Sequence, residues 1–180
     1  MASLLCIAEV NKLENDEFDR LFKNVIELWP DAAVQVRKSR PFADVADLVN
    51  SFYKYMEELC KIGILKSHPD LAGKLAAIEE LTSESAFEQK SAGLTDITAE
   101  QRDIINSSNI RYKAKFGFPF IICARENKVQ SIIEGLQKRY HNTKDEEIIT
   151  GINEVKKICK LSLYNCMRLA SNFTELWVRT

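Results

Sequence analysis

The sequence predicts an all-α, single-domain helical bundle with one extended apolar segment near residues 116–123. Apolar residues recur at three- and four-residue steps along most of the 180-residue chain, which is the spacing of an amphipathic helix. Capping boxes that begin at Thr98 and Thr143 mark two further helix starts. The exception is the run Phe-Gly-Phe-Pro-Phe from Phe116, where glycine weakens a helix and proline breaks one.

Two helices are predicted in the first third of the chain. The first has apolar residues at helical spacing from Leu13 to Trp29, and Pro30 is expected to end it. The second follows its N-cap residue, Asp44, and Gly63 is expected to end it. Its apolar stripe consists of Val45, Leu48, Val49, Phe52, Met56 and Leu59.

Four more helices are predicted after residue 80. Thr82 can cap a short helix through Lys90, and the capping box at 98–101 opens a helix that runs toward Lys115. A later helix covers about 128–140. The capping box at 143–146 opens a long final helix with apolar positions Ile148, Ile149, Ile152, Val155, Ile158, Leu161 and Leu169.

Length and charge limit the classes of function. A chain of this size can form one domain over residues 1–180, and no internal repeat or linker divides it. With 25 Lys and Arg against 26 Asp and Glu, the net charge is −1. We therefore expect no nucleic-acid partner and no membrane partner, because both need a basic surface or a long apolar run.

The cysteines and the chain ends predict an intracellular protein. Five cysteines without a C-x-x-C pair, mostly among apolar residues, indicate buried, reduced thiols rather than a disulfide framework. The opening residues 2–8 lack a preceding positive charge and are followed by Glu9, so we expect no secretory signal. The two histidines are far apart and the cysteines are not clustered, so no metal site is predicted.

His68 is a candidate for proton transfer. Pro69 disfavours the α region for the residue before it, so the imidazole is expected to project from a bend after the second helix. Histidine titrates near neutrality, and Asp70 is near enough in sequence to orient it. The alternative is a structural histidine that caps a helix or bonds a backbone carbonyl, which is the commoner role.

Ser85, Glu88 and Gln89 form a second candidate group at positions i, i+3 and i+4. A helix that begins after Thr82 places all three side chains on one face. A carboxylate, an amide and a hydroxyl could bind a planar ureide through matched donors and acceptors. The alternative is a solvated polar helix face.

The segment from Phe116 is the third candidate. A lone extended segment among helices has no strand to pair with, so its N–H groups need partners among loops, water or a ligand. Its apolar side chains could pack in the core while the N–H groups of residues 120–124 donate to a ligand carbonyl. An ordinary buried core segment is the alternative, and the two are compatible. Arg125 could bind a carboxylate or form a surface ion pair.

Three blocks together carry a resemblance to a known family. They are His68-Pro69-Asp70-Leu71-Ala72-Gly73, Ser85-Ala86-Phe87-Glu88-Gln89, and Phe116-Gly117-Phe118-Pro119-Phe120-Ile121-Ile122-Cys123-Ala124-Arg125. With Ser39-Arg40-Pro41-Phe42 and Glu154-Val155-Lys156-Lys157-Ile158-Cys159, they resemble the 2-oxo-4-hydroxy-4-carboxy-5-ureidoimidazoline (OHCU) decarboxylases, which finish the breakdown of uric acid to allantoin. The similarity runs nearly end to end.

The resemblance implies an all-helical fold, usually homodimeric, that decarboxylates a small ureidoimidazoline to (S)-allantoin and CO2 without metal or organic cofactor. It implies that His68 is the catalytic proton donor, that Glu88 is the catalytic carboxylate, and that Pro69 lies beside the substrate. The substrate-binding residues that it implies are Pro69, Ser85, Ala86, Phe87, Glu88, Gln89, Phe120, Ile121, Ile122, Cys123 and Ala124.

This chain departs from the family pattern in two places. Animal relatives often end in a peroxisomal signal that finishes in Lys-Leu, whereas this sequence ends in Val178-Arg179-Thr180. The resemblance implies the peroxisome, and the different ending leaves the cytoplasm open. Arg37 and Lys38 stand where an aromatic residue is frequent.

Two other functions stay open at this point. A non-catalytic helical module that binds a ureide or a partner protein would show no rate effect and would expose an apolar patch. A hydrolase would use His68 and Glu88 to activate water, and would cleave a C–N bond or release ammonia instead of CO2.

Overall fold

The computed structural model describes residues 5–69 and 98–177, with side chains described as far as residue 170. Within these ranges the chain is helical with irregular connections and has no β-strand, which confirms the all-α prediction. The α-helices are α1 Ile7–Lys12, α2 Asn15–Phe22, α3 Asp31–Val36, α4 Val45–Glu58, α5 Lys61–Ser67, α6 Ala99–Phe116, α7 Val129–Arg139 and α8 Lys144–Trp177. Short 3-10 turns lie at Arg37–Ser39 and Ala124–Glu126.

The backbone contacts divide the chain into two compact units. One unit comprises Met1–Leu59 together with Ile158–Thr180, and the other comprises Cys60–Lys157. Helix α8 therefore contributes its first part to one unit and its second part to the other. The assignment of residues 1–180 to a single domain stays a prediction. No helix in the described ranges is long and apolar enough to span a membrane.

The first predicted helix is shorter than its apolar pattern suggests. Helix α2 ends at Phe22, and turns follow up to Pro30. Leu28 has a φ of 52°, which no continuous right-handed helix contains. Val25 and Ile26 are still buried, so apolar spacing here reports burial rather than helical backbone.

Pro30 begins a helix instead of ending one. It is the N-cap residue of α3, whose first residue is Asp31. The carbonyl of Trp29 accepts a hydrogen bond from the Ala32 N–H at 3.1 Å, so the backbone turns into α3 at this point. A proline is compatible with the start of a helix because the first N–H groups have no partner within the helix.

Helix α4 begins as predicted and ends earlier than predicted. Asp44 is its N-cap, and its Oδ1 accepts from the Asp47 N–H at 2.8 Å. The helix ends at Glu58, and Leu59 is extended at φ −89° and ψ 163°. Gly63 does not end α4 but lies inside α5, because the break at residues 59–60 needs no glycine. The buried face of α4 consists of Leu48, Val49, Phe52 and Met56.

The three later helices within the described ranges match their predictions closely. Thr98 Oγ1 accepts from the Gln101 N–H at 3.1 Å, and Gln101 Oε1 accepts from the Thr98 N–H at 3.0 Å. This capping box opens α6, and Gly117 ends it in the left-handed region at φ 82°. The capping box of Thr143 and Glu146 opens α8 in the same way. Helix α7 covers Val129–Arg139, with Lys128 and Tyr140 as its cap residues.

The core of the unit that contains residues 60–157 is built around aromatic rings. The ring of Tyr112 has its centroid 4.6 Å from that of Phe116, 6.2 Å from that of Phe118 and 5.3 Å from that of Phe120. All four side chains are almost fully buried. The segment after α6 is therefore fixed to α6 by its own phenylalanines.

All five cysteines are free thiols. Cys123, Cys159 and Cys166 are buried, which agrees with the prediction, whereas Cys6 and Cys60 are exposed. Burial raises the pKa of the Cys159 thiol above its ordinary value, so that this thiol stays protonated at neutral pH.

Candidate active site

His68 lies at the bend directly after α5. Its backbone is extended at φ −75° and ψ 138°, as expected for a residue that precedes a proline. The side chain is 8% exposed, and Nδ1 lies 3.1 Å from the carbonyl oxygen of Ile64. The predicted bend is confirmed, but it follows α5, because the second predicted helix is two helices, α4 and α5.

The Ile64 carbonyl decides which ring nitrogen of His68 carries the proton. A carbonyl oxygen can only accept a hydrogen bond, so Nδ1 donates and the proton of the neutral ring is on Nδ1. The lone pair of the neutral ring is then on Nε2. His68 therefore makes the backbone hydrogen bond that is typical of a structural histidine. The lone pair of its Nε2 takes no part in that hydrogen bond.

Burial keeps this imidazole neutral. Removal from water lowers the pKa of His68 to about 4, against a smaller opposing effect of the hydrogen bond to Ile64. At neutral pH the ring therefore begins as a proton acceptor at Nε2, and it must gain a proton before it can donate one.

Part of the predicted site lies outside the described residues. Pro69 is described and is partly buried beside His68. Asp70, Ser85, Ala86, Phe87, Glu88 and Gln89 lie in the range 70–97, together with the predicted helix at 82–90. Their roles stay predictions.

The segment after α6 is irregular and mostly buried. Phe116 itself is the last residue of α6, so the non-helical stretch begins at Gly117, one residue later than predicted. Phe118, Phe120 and most other side chains as far as Ala124 are buried, whereas Ile122 is partly exposed. Helix formation ends at Gly117 because its positive φ takes the chain out of the helical path.

Two N–H groups of this segment already have partners within the protein. The Phe120 N–H donates to Oδ1 of Asn109 at 3.0 Å, and the Cys123 N–H donates to Oε2 of Glu154 at 2.8 Å. The expectation that residues 120–124 offer an unprotected row of amides is therefore wrong at these two positions. Buried N–H groups need acceptors, and polar side chains from α6 and α8 supply them.

The position of Asn109 among apolar residues of α6 is a sequence signal for a buried polar contact. The buried positions of α6 are Ile105, Asn109, Tyr112 and Phe116, at helical spacing. An asparagine on the apolar stripe of a helix needs a polar partner inside the protein, and here that partner is the Phe120 N–H. The interruption of the stripe indicated a buried polar partner for Asn109, but not which group that partner is.

A charged network lies behind the segment. Glu147 on α8 is completely buried, and its Oε1 accepts from Nε of Arg139 at 2.8 Å and from Nη2 at 2.5 Å. The hydroxyl of Tyr112 donates to the same oxygen, and Nδ2 of Asn142 donates to Oε2 at 2.7 Å. Burial and the neighbouring carboxylate of Glu147 raise the pKa of Tyr112 above its ordinary value.

Arg139 connects this network to the segment. Its Nη1 donates to the carbonyl oxygen of Ile121 at 2.7 Å, and its guanidinium lies over the Phe120 ring at 4.4 Å from the centroid. Asn109, Arg139 and Glu154, from three different helices, thus bind the backbone of residues 120–123. We call these three side chains the backbone anchors.

Arg125 and His141 are weaker candidates for a catalytic role. Arg125 lies in the 3-10 turn Ala124–Glu126, and its proposed carboxylate contact stays a prediction. His141 is exposed in the turn after α7, where its N–H donates to the Lys138 carbonyl. Over the part of the chain that the structure describes, no cluster of three or more His, Cys, Asp or Glu side chains is arranged to bind a metal ion.

Comparison with proteins of known sequence gives one family. The model of the OHCU decarboxylase family matches residues 11–163. The 2-oxo-4-hydroxy-4-carboxy-5-ureidoimidazoline decarboxylase of Xenopus laevis is 41% identical over 157 residues, covering 86% of this chain and 90% of that protein. The protein of the same name from Amia calva is 40% identical over 171 residues, covering 93% of this chain and 98% of that protein.

Solved structures show a similar fold. A crystal structure of (S)-allantoin synthase matches with a TM-score of 0.72 at 18% identity, covering 91% of this chain and 54% of that one. A crystal structure of OHCU decarboxylase in the presence of (S)-allantoin matches with a TM-score of 0.64 at 22% identity, covering 86% of this chain and 99% of that one. At these identities the structural similarity shows a shared fold alone. The family match and the two relatives at 41% and 40% identity show common ancestry. On that evidence the chain belongs to the OHCU decarboxylase family.

Proposed function

We propose that this protein is a carboxy-lyase that converts 2-oxo-4-hydroxy-4-carboxy-5-ureidoimidazoline into (S)-allantoin and CO2 in uric acid degradation, without a cofactor. The observation that carries the proposal is His68, which in a chain of this family is a buried, neutral imidazole with one tautomer selected by Ile64. The decarboxylase names of relatives that cover nearly the whole chain support the substrate and the reaction.

The substrate itself can accept the electrons of the reaction. Loss of CO2 leaves an electron pair on the ring carbon that carried the carboxylate. The adjacent C=N bond of the imidazoline accepts that pair, and the ring nitrogen takes up a proton from solvent, which is the one proton that loss of CO2 from a carboxylate consumes. The protein then needs to orient the carboxylate and to control the proton transfers that follow.

His68 performs the second half of the reaction in this proposal. Nε2 accepts the proton of the substrate hydroxyl as a ring carbonyl forms, and the resulting imidazolium donates a proton to the carbon that carries the ureido group. This order follows from the Nδ1–H tautomer, in which Nε2 has a lone pair and no proton. In this proposal His68 is first a proton acceptor and then the proton donor that the family resemblance implies.

Other residues complete the proposed site. Glu88 assists the proton transfer, while Ser85, Gln89 and amides of the 120–124 segment bind the ring and the ureido group. A single fixed imidazole can reach one face of the planar intermediate, so the product has one hand, the S form. Pro69 lies next to His68 and would form part of the wall.

The proposal extends to assembly and compartment. We propose a homodimer, which sedimentation of the purified protein tests directly. We propose an intracellular location, with the peroxisome favoured by family resemblance and the cytoplasm as the alternative. Microscopy of the tagged protein in its own cells would distinguish the two compartments.

Chirality tests the proposed function, because the substrate also loses CO2 spontaneously to give racemic allantoin. Freshly formed products of uricase and hydroxyisourate hydrolase are mixed with the protein, and the product is followed by circular dichroism. We expect optically active (S)-allantoin from the wild type, and racemic product from His68→Asn at the same concentration. His141→Asn serves as the matched control, since His141 is exposed in the turn after α7.

Three outcomes would contradict the proposal. Racemic product at high concentrations of the wild type would favour a non-catalytic binding module. Release of ammonia or cleavage of a C–N bond, seen in the product mass, would favour a hydrolase. Full activity of His68→Asn would contradict the role of His68.

A further inference from the structure

We propose that Glu154 is a positioning residue of this site, and that its carboxylate sets the backbone of the 120–124 segment by binding the Cys123 N–H. The inference rests on the proposed function, since its effect on the reaction is exerted through a segment that is predicted to bind the substrate.

The contact joins distant parts of the chain. Glu154 lies on α8, and its Oε2 accepts from the Cys123 N–H at 2.8 Å, across 31 positions of sequence. The other carboxylate oxygen, Oε1, accepts from Nζ of Lys157 at 2.6 Å. The Glu154 side chain is 12% exposed and that of Lys157 is 46% exposed. The Glu154 side chain is therefore the more protected partner of this ion pair.

Glu154 differs from the other two anchors in its place along the segment. Asn109 binds the Phe120 N–H and Arg139 binds the Ile121 carbonyl, so both act before Ile122. Glu154 acts after Ile122, which is the partly exposed residue of the stretch. Glu154 therefore binds the peptide group after Ile122, as Arg139 binds the peptide group before it.

Nearby contacts restrict where the chain could move without Glu154. The Cys123 carbonyl accepts from Nδ2 of Asn127 at 2.9 Å and from the Glu126 N–H at 3.1 Å, so the following turn stays in place. Without Glu154 the buried Cys123 N–H loses its charged acceptor. The peptide group between Ile122 and Cys123 would rotate to find another acceptor, and the neighbouring amides predicted to bind substrate would rotate with it.

An alternative role for Glu154 is a helix-surface ion pair with Lys157, three residues later. The two roles make opposite predictions about which chemical property matters. Positioning needs an oxygen acceptor at the end of the side chain and does not need charge. An ion pair needs the charge and its partner Lys157.

Three variants separate these roles by steady-state kinetics. Glu154→Ala removes the acceptor, and we expect KM to rise by about tenfold or more, as loss of a charge-assisted hydrogen bond implies. Glu154→Gln keeps an oxygen within reach of the Cys123 N–H, and we expect its KM to stay within about threefold of the wild-type value. Lys157→Met leaves the Glu154 acceptor in place and is expected to behave like the wild type. A purely structural defect would lower the amount of active enzyme, and hence the apparent kcat, without a change in KM.

Amide hydrogen exchange provides a measurement that does not depend on activity. We expect the Cys123 N–H to exchange slowly in the wild type and in Glu154→Gln, and faster in Glu154→Ala. The Phe120 N–H is the internal control, because Asn109 binds it and the substitution leaves that bond intact.

The outcomes are distinct from those that test the proposed function. Wild-type KM in Glu154→Ala, or equal damage in Glu154→Gln or Lys157→Met, would overturn the positioning role. Unchanged exchange at Cys123 in Glu154→Ala would overturn it as well. A wild-type protein that forms only racemic allantoin would contradict the proposed function, while the exchange data would still decide whether Glu154 fixes the segment.

Discussion

The protonation of His68 depends on two local features, its burial and the carbonyl of Ile64. Burial disfavours the charged ring, and the carbonyl assigns the remaining proton to Nδ1. A histidine exposed to water would be partly charged near neutrality and would have no fixed tautomer. The local backbone thus determines the starting state of the proton transfer.

The lowered pKa of His68 predicts a pH dependence of stability. The folded-state pKa of about 4 lies below the ordinary value of 6.5, so the unfolded chain binds more protons between these values. The stabilisation is present above pH 6.5 and is lost as the pH falls toward 4, with a total of up to about 3 kcal/mol. Urea unfolding at several pH values in this window should show a flatter dependence for His68→Gln than for the wild type. An equal change in slope for the exposed His141→Gln would contradict this assignment.

A second prediction at this scale concerns the buried carboxylate of Glu147. Its removal leaves the guanidinium of Arg139 beside the segment without its main partner, so Glu147→Ala should lower the free energy of unfolding by about 3–5 kcal/mol. The matched control is Asp19→Ala, which breaks the pair of Asp19 and Arg37 where both side chains are 24% exposed. There we expect at most about 1 kcal/mol. Equal losses of unfolding free energy in the two variants, measured with urea, would show that burial does not determine how much these ion pairs contribute to stability.

At the scale of elements, helix α7 lies close to the 120–124 segment at a glycine. A Cβ atom added to Gly135 would lie 3.4 Å from Cζ of Phe120 and 3.6 Å from Cδ1 of Ile122. These are ordinary contact distances, so a methyl group fits while a longer side chain would collide. The absence of a side chain at this position allows α7 and the segment to pack closely.

Paired substitutions at Gly135 test this packing. Gly135→Ala should raise the free energy of unfolding by up to about 1 kcal/mol, because alanine favours the helix and finds room. Gly135→Leu should lower it by about 1–3 kcal/mol, because the larger side chain would displace Phe120 and Ile122. Thermal or urea unfolding measures both. Equal stability of the two variants would contradict the close approach.

At the scale of the whole molecule, the sequence predicted helices best where local chemistry sets the boundary. The capping boxes at Thr98 and Thr143 and the break at Gly117 are properties of a few adjacent residues, and the structure has them. Apolar spacing alone extended the first helix to Trp29, because residues in turns can face the core at similar intervals. Helix α1 was not predicted, because its capping box has a cysteine, Cys6, at the N-cap position where serine or threonine is usual.

The sequence predicted the local backbone of the candidate site, but not the long-range hydrogen bonds that hold it. A bend at His68 follows from Pro69, and an apolar, non-helical segment follows from the glycine and proline after Phe116. The bonds from Asn109 and Glu154 to that segment join residues 11 and 31 positions apart. A single sequence contains no pattern that specifies such long-range contacts, so the amides of Phe120 and Cys123 were expected to be free.

The guanidinium of Arg139 has a consequence for substitution at this position. One planar group binds a carboxylate through two nitrogens, a main-chain carbonyl through a third, and an aromatic face through its π surface. A lysine would keep the positive charge at this position but supplies only one nitrogen, so it could not reproduce these directions simultaneously. The shape of the side chain at position 139 therefore matters as much as its charge, and a substitution that keeps only the charge would disconnect three neighbours at once.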